Sequence, residues 1–113
     1  MKFEDGYELV KNKFMEADLS QIDTDFSGIA CISGDVDHYI YAAYIGGQKF
    51  IEPVKHDSAN IVVSLSEDTF TKIMTKELEA FKAFTTGKIK AKGNVFLAIS
   101  LYKKFKAAKL RYI

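Results

Sequence analysis

The residue types that do chemistry are few in this 113-residue chain: two histidines, one cysteine and a scatter of carboxylates. Asp35-Val36-Asp37-His38 sets two carboxylates beside an imidazole, the ingredients of an acid–base pair or a metal site. Such groups must converge on one proton or one ion. His38 opens a stretch with strand periodicity, where successive side chains alternate faces, so Asp37 and His38 point apart. His56-Asp57 lies in a polar loop without a third partner. Cys31 falls in the middle of a predicted strand, where a thiol packs as a small hydrophobe. Thr86-Gly87-Lys88 resembles the end of a phosphate loop. That motif also needs a glycine where this chain has Lys82 and a Ser or Thr where it has Ile89. The chain has no CxxC pair, dinucleotide-binding glycine fingerprint or glycosylation sequon. These residues therefore predict a protein that is not an enzyme, with no catalytic residues, no metal and no cofactor.

A nucleic-acid surface is the next chemistry to weigh, because Lys88, Lys90, Lys92 and the C-terminal lysines accompany three aromatic platforms, Tyr39, Tyr41 and Tyr44. Charge argues against it. Through Gly87 the chain carries 8 Lys and Arg against 15 Asp and Glu, and its one arginine, the favoured base reader, is Arg111. From Lys88 onward there are 8 basic residues and no acidic one. No nucleic-acid partner is expected, and the basic end suits an anionic surface or head group instead.

The elements that must carry these groups follow from periodicity. Apolar residues make up 48% of the chain, with nine Phe, six Tyr and one Pro, enough for one core and one domain over residues 1–113. Phe3, Tyr7, Val10 and Phe14 recur at helical spacing, which predicts an amphipathic helix over 4–17. Residues 26–33 and 38–45 read as strands, the first with Phe26, Gly28, Ala30 and Ile32 on one face and Ile29 and Cys31 on the other. Gly46-Gly47 is a hairpin signal, and the third strand, 48–52, stops at Pro53. β-Branched residues make 61–65 a fourth strand. Ser66 then caps a helix whose first turn carries Glu67 and Asp68. Helical spacing continues through Phe84 to a glycine stop at Gly87. Lys88 to Lys92 alternates as a fifth strand with Ile89 and Ala91 inward, and a last helix opens at Val95 with residues apolar all round. Strands joined by tight turns and then by helices predict an α+β layer with the helices on one face.

Ser64-Leu65-Ser66-Glu67-Asp68-Thr69-Phe70, Ile73-Met74-Thr75, Phe81 through Asn94 and Leu97-Ala98 together resemble the sterol carrier protein 2 family in order and spacing. The resemblance implies an α+β fold with a five-stranded, mostly antiparallel curved sheet packed with helices around an apolar tunnel. It also implies a protein that binds and moves a sterol, fatty acid, acyl-CoA or phospholipid without catalysing a reaction. Two departures stand out. The family's Gly-Lys and Asp-Pro between the middle helices are here Lys76-Glu77 and Glu79-Ala80, which predicts helices that run on with less of a break. Phe96 replaces a small residue early in the last helix, which predicts a narrowed or reshaped tunnel.

On this reading Phe70, Ile73, Met74, Phe81, Phe84, Val95, Phe96, Ile99 and Leu101 face inward and hold the lipid tail. Lys103, Lys104, Lys106, Lys109 and Arg111 meet a transient anionic membrane surface or the phosphates of coenzyme A. The alternative is a non-catalytic scaffold or homodimerisation module, its cavity filled by Phe96 and Phe84. A lone cysteine and no secretion signal predict the cytoplasm.

Overall fold

The structure, a computed structural model, describes residues 2–20 and 22–110, with side chains as far as Lys103. In chain order it has α1 (Phe3–Glu16), β1 (Phe26–Ser33), β2 (His38–Ile45), β3 (Gln48–Glu52), β4 (Ile61–Ser66), α2 (Glu67–Met74), α3 (Ala80–Thr85), β5 (Ile89–Gly93) and α4 (Val95–Leu110). The strands form one mixed sheet in the order β3-β2-β1-β4-β5, with β1 and β4 parallel and the other neighbours antiparallel. This is an α+β fold, and its helices cover one face.

The strand register says which face that is. Phe26 pairs with Tyr44, Ala30 with Ile40 and Val63, and Val63 with Ala91. Partners point the same way, so these side chains share the helix-facing surface. They feed two clusters on it. Ile32, Ile40, Leu65 and Phe70 form one beneath α1 and α2, and Phe14, Leu19, Phe26, Ile61 and Leu101 form the other beside α4. Gly6 lets α1 and α2 approach, since a Cβ there would lie 2.5 Å from the Phe70 ring. Tyr44, half-buried, donates its hydroxyl to the Leu19 carbonyl at 3.2 Å and ties down the segment after α1.

The opposite face is crossed by the connection from β3 to β4, which must pass over β2 and β1. Its His56 ring stacks on Tyr41 at 4.0 Å, and Lys55 Nζ lies 5.9 Å from the Tyr39 ring centre. Tyr39 and Tyr41 therefore lie on one face of the sheet and Tyr44 on the other. Lys90 and Lys92 pair with Ser64 and Val62 and point the same way as Tyr39 and Tyr41, away from the helices.

The break between α2 and α3 differs from expectation. The two helices do not run on: α2 stops at Met74 and α3 begins at Ala80, with Lys76 between them at a φ of 65°. Lys76 occupies the position where the resembled family carries glycine, and it adopts a left-handed conformation that glycine takes more readily. A lysine pays a steric cost of about 1 kcal/mol there. Lys76→Gly should therefore hold stability or raise it by up to about 1 kcal/mol, despite glycine's freer unfolded chain. A thermal melt checks this; a clear fall in Tm would mean that Lys76 makes stabilising contacts.

Candidate functional site

Small residues leave a hole between the helices and the sheet. Val63 and Ala91, cross-strand partners on β4 and β5, form its floor. Ala80, Phe81 and Phe84 of α3 form one wall, and Val95, Ala98, Ile99 and Tyr102 of α4 the other. Ala80, Ala91 and Ala98 have nothing beyond a methyl to project inward, so these elements meet without closing. The result is an apolar cavity of about 120 Å³.

Local chemistry sets the helices around the cavity. Ser66 caps α2 by accepting the Thr69 N–H at 3.1 Å, as its sequence position suggested. Asn94 Oδ1 accepts the Leu97 N–H at 3.1 Å and starts α4, while the Asn94 N–H donates to the Asn60 carbonyl at 3.0 Å and anchors that start to the head of β4. The two walls are joined at their outer edge, where Phe81 stacks on Tyr102 at 5.9 Å and Tyr102 donates its hydroxyl to Glu79 Oε1 at 2.7 Å. Burial, and then the Glu79 carboxylate, push the Tyr102 phenol above its ordinary 10.0, so the donor is kept.

The nine side chains expected to hold a tail do not share one place. Phe81, Phe84, Val95 and Ile99 line the cavity. Phe70 is buried in the core under α1, with Ile73 and Met74 packed against that cluster, and Leu101 is buried in the second cluster. Phe96 is a correction: it is 88% exposed and points outward, so it neither narrows the cavity nor plugs it for the scaffold alternative. On a helix beginning at Val95, position 96 turns about 100° away from the stripe formed by 95, 98, 99 and 102. That same stripe was the signal for Ala98 and Tyr102, which the sequence reading passed over. Val63, Ala80 and Ala91 gave no such signal, because small residues in an apolar run mark a void only once the elements are packed. Lys103 is exposed. The side chains of Lys104, Lys106 and Lys109, and Arg111 entirely, lie outside the described residues.

The groups weighed for catalysis lie apart: His38 is on the helix-facing side of the sheet and Cys31 on the other. His38 stacks on Phe3 at 4.1 Å, and Cys31 is half-buried on the face away from the cavity. Among the described residues no three His, Cys, Asp or Glu side chains are grouped so as to hold a metal ion. No helix among them is long and apolar enough to cross a membrane.

Fold and cavity together define an α+β domain with a small, partly open apolar space between two helices and a mixed sheet. The sequence model of the SCP-2 sterol transfer family matches residues 32–106, and the chain belongs to that family. Its sheet and helices resemble those of palmitated SCP2L2 from Aedes aegypti, with a TM-score of 0.79 at 19% identity over 93% of this chain and 95% of that one. They also resemble apo sterol carrier protein 2 from Yarrowia lipolytica, with a TM-score of 0.58 at 20% identity over 91% and 75% of the two chains. Hydroxysteroid dehydrogenase-like protein 2 of Bos taurus is 47% identical over 47 residues, 42% of this chain and 11% of its own length. The match thus spans about a tenth of that relative, as part of a larger chain.

Proposed function

We propose that this chain is a non-catalytic lipid carrier of the cytoplasm that holds the apolar tail of a sterol, fatty acid, acyl-CoA or phospholipid between α3, α4 and the sheet. The cavity carries the proposal: its walls are apolar, and its one hydroxyl, that of Tyr102, donates to Glu79. Membership of a sterol transfer family and the fold shared with a palmitated relative support an acyl or sterol tail as the occupant. The lysines of α4 would meet an anionic membrane during transfer or, with an acyl-CoA, its phosphates.

Size decides how such a tail must bind. A void of roughly 150 Å³ accommodates one benzene, so 120 Å³ takes about five carbons. At about 0.8 kcal/mol per methylene, five carbons yield about 4 kcal/mol before association costs, no better than millimolar affinity. Ten to twelve methylenes would reach the micromolar range, so a functional ligand has to part α3 from α4. Affinity should consequently rise about fourfold per added methylene well past five carbons. Displacement of a fluorescent fatty acid by a series of n-alkanoic acids measures this directly. A plateau at five carbons would mean a rigid cavity. No displacement at any length, together with no adduct in native mass spectrometry of the purified protein, would sink the carrier reading and leave a scaffold.

A further inference from the structure

Phe96 is the most exposed large apolar side chain among the described residues, at 88% against 65% for Val36 and 50% for Met15. It stands in the capped first turn of α4, so the ring is held out by formed helix and not by a loop. Ser100 and Lys103, four and seven positions on, are also exposed and lie on the same outward stripe. The sequence of α4 contains four lysines and no carboxylate. A protruding phenyl ring at one end of a helix, followed by basic residues alone, complements a surface with an apolar interior and anionic head groups.

We propose that the outward stripe of α4 docks on an anionic lipid bilayer, with Phe96 entering the acyl region as the anchor and Lys103 at the phosphate level. This rests on the carrier reading for its purpose, since α4 is also a wall of the cavity and docking would bring that wall to the membrane. The docking itself depends only on Phe96 and charge. It also predicts an orientation. Lys90 and Lys92 point from the far face of the sheet, about one 10 Å layer or more behind α4, beyond the Debye length at physiological salt. In this orientation they contribute little.

Co-sedimentation of the full chain with vesicles tests the proposal, using phosphatidylcholine alone and phosphatidylcholine mixed with phosphatidylserine in equal parts. The wild type should bind the mixed vesicles, and weakly or not at all the neutral ones. Phe96→Ser, at a position 88% exposed, should lower partitioning by about tenfold or more. Lys103→Ser should lower it by about fivefold, whereas the double variant Lys90→Ser, Lys92→Ser should change it by less than about twofold. Equal losses in the Lys103 and Lys90/Lys92 variants would replace oriented docking with general charge attraction and overturn the proposal. So would wild-type binding by Phe96→Ser, or a dimer in sedimentation velocity that Phe96→Ser dissociates. Fatty-acid displacement without vesicles, run on the same variants, separates the two ideas. Intact displacement with lost vesicle binding concerns docking alone, and lost displacement in the wild type with intact vesicle binding overturns only the carrier.

Discussion

Phe84→Asp should reduce retention of an apolar ligand by about 100-fold or more. Phe84 is half-buried in the α3 wall, facing Val95, Ala98 and Ile99 across the cavity. An ionised carboxylate in that wall keeps water around it or is desolvated when a tail arrives. An uncompensated buried charge costs about 3–5 kcal/mol, of which 2.7 kcal/mol already amounts to about 100-fold. Because the same change could loosen α3, Ala98→Phe provides a second measurement with no charge involved. A phenyl ring needs a space of roughly 150 Å³, so at position 98 it occupies the whole of the 120 Å³ void. Both variants should lose displacement of a fluorescent fatty acid, and Ala98→Phe should do so while still melting cooperatively, at a cost of about 1–3 kcal/mol for the tight fit. Wild-type binding by Ala98→Phe would place the ligand elsewhere in the molecule.

The second large effect concerns the joint that sets α4 over the sheet. Gly93 ends β5 with a φ of 88°, and a Cβ built there would overlap the Asn60 carbonyl oxygen and lie 3.1 Å from its carbon. That carbonyl cannot retreat, because it accepts the Asn94 N–H at 3.0 Å. Asn60 is itself held by the buried Ser27: its Oδ1 accepts from the Ser27 N–H and hydroxyl, both at 3.1 Å, and its N–H donates to the Ser27 hydroxyl oxygen at 3.0 Å. A left-handed backbone closed off to β-branched side chains, combined with contact against fixed backbone, makes Gly93→Val worth about 3–5 kcal/mol of destabilisation. At about 4 °C per kcal/mol for a domain of this size, Tm should fall by roughly 10–20 °C. Gly87→Ala is the control. Gly87 also has a positive φ, 82°, but its Cβ would meet nothing, so it should cost only about 1 kcal/mol. Similar losses at the two positions would show that conformation alone matters and that the joint does not.

Strand and helix order, the division of β1 side chains between two faces, the inward side of β5 and the cap at Ser66 were legible because each depends on residues a few positions apart. Alternation, helical spacing and a hydroxyl at a helix start are local rules, and this chain obeys them. The break after Met74 was misjudged for the same reason. A lysine discourages a left-handed residue locally, yet Lys76 adopts one in the link between α2 and α3. The site was legible only in part. Phe81, Phe84, Val95 and Ile99 reach the cavity, but Phe70 and Leu101 are equally apolar and were absorbed into ordinary core, while Phe96 went to solvent.

What the sequence determined alone was the family, the α+β plan and the unbroken basic character of the chain after Glu79. These follow from composition, spacing and order, which do not change on folding. The tertiary structure decided which apolar residues surround a space and which fill one. It also decided that Tyr102 and Glu79 clasp two helices across 23 positions of sequence, and that Phe96 stands outward. A cavity is a property of elements that fail to meet. Whether alanines 80, 91 and 98 fall opposite one another is set by register and helix rotation, which no local pattern contains.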